Sequence, residues 1–143
     1  MNASTTIAAA ALLTTPVCMV AQATVTSPQE YAEKLYNVME AMAVILEHTT
    51  PETADECLHA LGNLGPYIQE LKWTDPWIVQ TFQRAAQNNV VYGLAMGTVA
   101  MRMLVAGAAV EERAKTATPR EREKLQQVLA GLVLVMAFLG SLG

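Results

Sequence analysis

Residues 90–110 read VVYGLAMGTVAMRMLVAGAAV and contain one charged side chain, Arg102. A helix that spans a bilayer needs about 20 apolar residues, so this run has the required length. Its Val and Leu residues each favour insertion by about 0.3–0.6 kcal/mol, whereas an arginine near the centre opposes insertion by about 2.5–3.5 kcal/mol. These contributions nearly cancel, and the glycines oppose insertion further. We therefore interpret the run as a helix of a soluble bundle.

The helical phase of this run extends beyond both of its ends. At about 100° per residue, small and apolar side chains form one stripe, and three arginines fall on the opposite side. These arginines are Arg84, Arg102 and Arg113. The continuous phase predicts one helix over 76–115, about 60 Å long and bent at 88–93, whose arginines form a solvated edge. Gly93 and Gly97 form a G-x-x-x-G pair, which allows another helix to approach closely.

Four segments of the chain carry the sequence signal of a helix start. TSPQE, TTPET, TDPW and ATPRE each place Ser, Thr or Asp before Pro, so that the first residue caps the helix and Pro occupies its first turn. Ser27 with Glu30, and Thr118 with Glu121, have the spacing of a capping box. The sequence therefore predicts an all-α bundle in a single domain, 24–143. Its four helices are expected at about 28–48, 51–72 with a kink at Pro66, 76–115, and 119–139.

The N-terminal segment resembles an export signal in composition. Residues 7–20 carry no charged side chain, and Ala21-Gln22-Ala23 has the small-x-small pattern that precedes a cleavage site. No Lys or Arg precedes this apolar stretch, so the alternative is an apolar helix that is retained. We expect residues 1–23 to be a signal peptide and the protein to be exported to the periplasm or cell envelope.

Composition and charge narrow the class of protein. Of the 143 residues, 52% are hydrophobic and 15% are charged, which excludes a disordered tail. The net charge of -4 gives no sign of nucleic-acid binding. Residues 30–75 hold nine acids and two bases, whereas residues 84–124 hold seven bases and four acids. The two segments are therefore expected to attract each other, within one chain or between chains.

No group of residues has the spacing of a known catalytic or metal site. Glu52, Asp55, Glu56 and His59 share one helix face, but an E-x-x-H metal site needs a second such pair, which the sequence lacks. Cys57 shares a face with leucines on the same helix and is expected to be buried. We expect a non-catalytic protein without metal or cofactor.

The C-terminal stretch, 128–143, has no charge and is apolar all round, so protein or lipid must cover it. The predicted helices 28–48 and 51–72 form a short hairpin that can cover only the first half of the 76–115 helix. The second half of that helix and the 119–139 helix then form an apolar two-helix arm. This arm predicts self-association or binding of another helical protein, most simply as a homo-oligomer. The expected association surface comprises Gly93, Gly97, Ala100, Leu104, Gly107, Leu132, Val135, Phe138 and Leu139.

The alternative hypothesis is an envelope membrane protein. In it residues 24–89 form a soluble hairpin, 90–110 and 125–143 span the bilayer, and the five bases of 113–124 lie on the cytoplasmic side.

Tyr67, Trp73 and Trp77 cluster near one helix connection. They are interpreted either as a plug that closes the end of the core or as an aromatic contact patch.

Overall fold

The computed structural model describes residues 25–142, and all regular secondary structure in that range is α-helical. The all-α class predicted from the sequence is therefore confirmed. The described residues form five helices rather than four: α1 (Pro28–Glu47), α2 (Ala54–Lys72), α3 (Pro76–Gln87), α4 (Val90–Thr116) and α5 (Pro119–Ser141). The predicted signal peptide, residues 1–23, lies outside the described range.

One of the two expected capping boxes is complete. At the start of α5 the Glu121 amide donates to Thr118 Oγ1 at 3.3 Å, and the Thr118 amide donates to Glu121 Oε1 at 3.0 Å. At the start of α1 the Glu30 amide donates to Ser27 Oγ at 3.1 Å. The Glu30 carboxylate, however, accepts from the amide and hydroxyl of Thr26. Ser27 thus caps α1 as predicted, while the Glu30 carboxylate binds Thr26, the residue before the cap, instead of the amide of Ser27.

The second helix begins three residues later than the sequence predicts. The Thr50 amide donates to Thr53 Oγ1 at 2.9 Å, and this hydroxyl donates to the carbonyl of His48 at 2.7 Å. These bonds hold Pro51 in the turn between α1 and α2, so Thr53 rather than Thr50 precedes the helix. The helix continues through Pro66, as the unbroken apolar phase predicted.

The predicted single helix over 76–115 is wrong, because the chain breaks at Asn88 and Asn89. The side-chain amide of Asn88 donates to the carbonyl of Arg84 at 3.1 Å and ends α3. Asn89 Oδ1 accepts from the amide of Tyr92 at 3.1 Å and caps α4. Asparagine competes with the helix for backbone hydrogen bonds and is favoured at caps, which explains the break in an otherwise continuous phase.

Four helices form a ring in the order α1, α2, α5, α4, since each packs against its two neighbours. Thr49, just after α1, binds Arg113 near the end of α4, so these two helices run parallel. Asp55 near the start of α2 binds Lys124 near the start of α5, so this pair is also parallel. The short turn at residues 117–118 makes α4 and α5 antiparallel.

The remaining helix, α3, crosses the end of the ring where α2 ends and α4 begins. It packs against α1 and α4, and the side chain of Gln83 donates to the carbonyl of Leu142 just after α5. The crossing returns the chain to the start of α1, so that α4 runs along α1 rather than past it. The expected projecting arm is therefore wrong. Its premise was the 60 Å helix, which the asparagine pair interrupts.

Helix α1 supplies much of the core. From Val38 to Leu46 all nine of its residues are buried, because α2, α3 and α4 all pack against this helix. An aromatic cluster lies where α1, α3 and α4 meet, with the rings of Tyr31 and Phe82 at 5.1 Å and those of Phe82 and Tyr92 at 5.9 Å. Cys57 is buried as predicted, with 5% of its surface exposed.

Candidate association surface

The outer sides of α4 and α5 carry an apolar surface that this chain leaves exposed. We define the outer face as the exposed residues of α4 between Val90 and Ala108 together with those of α5 between Ala130 and Gly140; none of them is charged. Scattered exposed apolar residues are normal on a soluble protein, but a continuous patch marks an association site. Its large apolar side chains are Val90, Val91, Leu94, Met101, Leu104, Val105, Val133 and Leu134.

The residues predicted for the association surface divide into three groups. Gly93, Gly97 and Leu104 are exposed on the outer face, and Ala100, Phe138 and Leu139 are half-buried. Gly107, Leu132 and Val135 are buried between the helices of this chain. A Cβ atom at Gly107 would lie 2.5 Å from Leu132 Cδ2, which shows how closely α4 and α5 approach there.

The division has a simple geometric cause. The side of α4 that faces the core is centred on Val99, Met103 and Val110, all nearly inaccessible to solvent. The predicted stripe through Gly93 and Gly107 lies about a quarter of a turn away on the helical wheel. Small residues define the close contact of α4 with α5, whereas larger side chains define its contact with the core.

The sequence predicts that Arg102 lies on a solvated edge, and the structure shows that this placement is wrong. Its guanidinium donates to Glu40 Oε2 at 2.9 Å and to Glu47 Oε1 at 2.7 Å, and both acids belong to α1. Glu40 also accepts from the hydroxyl of Tyr36 at 2.8 Å. This hydrogen bond raises the pKa of Tyr36. The charge of Arg102 is therefore neutralised beside the outer face by residues that lie far away in sequence.

Arg113 is also directed toward α1 rather than into solvent, since one of its amino groups donates to the carbonyl of Thr49 at 2.8 Å.

An open groove of about 670 Å³ runs beside the outer face between Gly93 and Arg113. Leu94, Met101 and Val105 line it. The groove is the recessed edge of the outer face.

The two ends of the α4–α5 pair differ in chemistry. The end at their connecting turn carries both signs of charge, with five bases and four acids within residues 111–124. At the opposite end Trp73 and Trp77 are 77% and 56% exposed, while Tyr67 is half-buried. The plug interpretation is wrong for the two tryptophans, because Tyr31 and Phe82 fill that end of the core instead.

Two helices, α4 and α5, are long and apolar enough to cross a membrane by length and composition. Only 28% and 22% of their most apolar windows are buried within the chain. A core helix of a soluble protein would be mostly buried. Both helices therefore retain apolar surface that another molecule can cover.

The acidic residues at the start of α2 have the exposure expected from the sequence, but Glu52 lies in the turn before the helix rather than on its face. Glu52, Asp55, Glu56 and His59 are all exposed, and Asp55 accepts from Lys124 at 2.8 Å. Within residues 25–142 no group of three or more His, Cys, Asp or Glu side chains is arranged to hold a metal ion.

No protein-family model matches the chain, and no significantly similar protein was found among curated sequences or among solved structures.

Proposed function

We propose that this protein is a non-catalytic helical bundle that acts by association through the outer face of α4 and α5. The observation that carries the proposal is the coincidence of exposure and absence of charge along α4. From Val90 to Ala108 the exposed side of this helix is uncharged over about 27 Å. A monomer would leave this surface in contact with water, at a cost of about 25 cal/mol for each Å² of apolar area.

The bonding of Arg102 supports association over exposure to solvent. An arginine in the middle of an apolar helix face would oppose docking, because a charge without a partner is costly to bury. Glu40 and Glu47 already bind its guanidinium within the chain. A partner could therefore cover the face without having to supply a counter-ion.

A second candidate partner is the bilayer, and the two ends of the bundle favour it. The exposed apolar length of α4 is close to the hydrocarbon thickness of about 30 Å. Trp73 and Trp77 lie at one end, as tryptophans do at a membrane interface, and charged side chains lie at the other end. Three charged residues argue against the bilayer: Glu33, Glu47 and Arg102. A bundle that spans the membrane would place them at the depth of the hydrocarbon, where charges are rare.

Sedimentation of the chain without detergent tests the proposal. We expect it to remain in the supernatant after high-speed centrifugation and to form a species of defined mass above that of one chain. A stable monomer at all concentrations would overturn association. Recovery only in membranes, with release by detergent and not by carbonate, would favour the bilayer candidate instead.

We further propose that the protein is exported, on the basis of the uncharged stretch 7–20 and the Ala21-Gln22-Ala23 pattern. The intact mass of protein from an exporting host is expected to match a chain that begins at Thr24. Recovery of full-length chain alone would contradict export and would leave the association proposal unaffected.

A further inference from the structure

The outer face of α4 has the residue spacing of a coiled-coil seam. Exposed residues of this helix recur at alternating steps of four and three: Val90, Leu94, Gly97, Met101, Leu104 and Ala108. This alternation is the a/d pattern that brings one helix against another along its length. Because these residues point away from the core of their own chain, the seam has no partner within residues 25–142.

The outer side of α5 has the same spacing with smaller side chains. Its exposed residues Ala130, Val133, Ala137 and Gly140 also alternate by three and four. None of these four is larger than valine; the larger Leu134 is exposed beside them. A second helix with larger side chains could therefore approach α5 closely, since large and small residues interdigitate when they alternate across an interface.

The seams of α4 and α5 overlap in height from Gly97 to Ala108 on α4. Within the chain Gly107 lies against Leu132, and Ala114 accepts a hydrogen bond from Arg122. The same antiparallel register places Met101 within one helical turn of the level of Ala137. Met101 on α4 thus stands at the same height as the smaller Ala137 on α5.

We propose that a second copy of this chain covers the outer face, with α4 of each copy packed antiparallel against α5 of the other. This inference rests on the proposed function and specifies its partner. The two copies are related by a twofold axis parallel to the helices, so that the four outer helices form a bundle. A twofold axis in this direction preserves heights, so Met101 meets Ala137 of the second copy and Ala108 meets Ala130.

The charged continuations of the two seams support this arrangement over a parallel pairing of α4 with α4. Two further steps along the α4 seam lead to Glu111 and Lys115, and the α5 seam is preceded by Glu123, all three of which are exposed. Lys115 binds Glu112 at 2.8 Å within the chain, and in the proposed arrangement Glu123 of the second copy lies at the same height as this lysine and attracts it. A parallel pairing of α4 with α4 would instead bring like charges together at Glu111 and at Lys115.

The charged continuations of the seams also favour a protein partner over lipid. A bilayer requires a surface to be apolar, but it does not require opposite charges to stand at the same height on the two helices. Lys115 on α4 and Glu123 on α5 have this additional property. A second copy brings the complementary seam of α5, and the resulting contact is isologous, as in most symmetric dimers.

Disulfide trapping tests the arrangement. Two full-length chains are co-expressed with tags of different mass, both with Cys18→Ser; one carries Met101→Cys and the other Ala137→Cys. We expect oxidation to link the two chains, because residues that meet across a seam approach to the Cα distance of about 4.4–6.8 Å that a disulfide needs. Each chain expressed alone should give at least tenfold less linked dimer. A matched control replaces Met101→Cys with Glu56→Cys on the opposite, acidic side, and should not link.

The outcomes separate the arrangement from association itself. Efficient linkage of Met101→Cys with itself would show that α4 packs against α4, which overturns the arrangement and retains association. Absence of linkage in a protein that sediments as a stable oligomer would overturn it in the same way. Absence of linkage in a protein that sediments as a monomer would overturn both the arrangement and the proposed function.

Discussion

Arg102 on α4 donates a hydrogen bond to Glu40 on α1 at 2.9 Å, and the side chain of Glu40 is only 11% exposed. The arginine comes from the basic segment of the chain, and the glutamate comes from the acidic segment. The attraction that the charge distribution predicted between these segments is therefore realised within one chain. A second such contact joins Lys124 to Asp55.

The first prediction concerns this pair. Arg102→Leu is expected to lower the free energy of unfolding by about 2 kcal/mol, because it removes the arginine from a nearly buried carboxylate. Urea denaturation measures the change. Arg84→Leu is the matched control, since Arg84 is exposed on α3, and should change stability by at most about 0.5 kcal/mol. Equal effects of the two substitutions would show that the ion pair contributes no stability.

The second prediction compares two glycines on the same helix. Gly107→Ala places a methyl group 2.5 Å from Leu132 Cδ2, so the buried Leu132 must shift; this overpacking of about 1–3 kcal/mol opposes the gain of up to about 1 kcal/mol in helix propensity and should destabilise the fold. At Gly97 a Cβ atom has nothing within 4 Å. Gly97→Ala should therefore be neutral, or should stabilise α4 by up to about 1 kcal/mol. Thermal or urea unfolding of both variants checks the contrast, and a reversed order would contradict the close contact of α4 with α5.

Gly97 also provides a test of association that leaves the fold intact. Gly97→Leu adds a large side chain to the outer face at a position where the added Cβ has no neighbouring atom within 4 Å. If a partner packs there, overpacking of about 1–3 kcal/mol should raise the dissociation constant about 5- to 150-fold. Sedimentation over a range of concentrations measures this constant.

The control for this experiment is Gly62→Leu, which makes the same change at an exposed position of α2 that also has no atom within 4 Å of the added Cβ. Association should be unchanged in that variant. Equal dissociation constants for Gly97→Leu and the wild type would show that the partner does not contact this part of α4.

A further prediction concerns alkaline pH. The hydroxyl of Tyr31 is buried and has no hydrogen-bond partner among the described residues, and burial raises its pKa to about 12. The unfolded chain loses this proton near pH 10, so stability is fully present below about pH 10 and falls by about 2 kcal/mol as pH rises toward 12. Tyr31→Phe removes this contribution and should leave stability near neutral pH within about 1 kcal/mol of the wild type. Parallel stability curves for the two proteins between pH 8 and 12 would contradict the assignment.

The sequence predicted the helical class and the helix starts at Pro28, Pro76 and Pro119, because all of these depend on local chemistry. The Ser27 and Thr118 caps and the passage of α2 through Pro66 follow from neighbouring residues. The end of α3 was also encoded locally, in the asparagine pair 88–89, but the continuous apolar phase on both sides favoured a bend there over a break. Asparagine is preferred at helix caps, and here the pair ends one helix and caps the next.

The orientation of α4 could not be derived in the same way. Its residues are apolar nearly all round, so periodicity alone does not identify which side faces the core. The decisive contacts are long-range, between Arg102 and α1 and between Gly107 and α5. They arise only because α3 crosses the end of the bundle, and this crossing depends on the break that the sequence analysis placed inside a helix.

The last prediction distinguishes a protein partner from a bilayer with the protein's own fluorescence. Trp73 and Trp77 are the two tryptophans of the chain, and both are largely exposed at one end of the bundle. Neither belongs to the outer face, so association of two copies through α4 and α5 leaves both in water. We therefore expect the emission maximum to remain at long wavelength when the protein self-associates and when phospholipid vesicles, neutral or anionic, are added.

If the bilayer covers the outer face, the tryptophans enter the headgroup region, where such side chains are favoured, and the emission shifts to shorter wavelength. Trp77→Phe isolates the signal of Trp73, which lies before α3 and is 77% exposed. A vesicle-dependent blue shift in both proteins would contradict a second copy as the partner and support the membrane candidate.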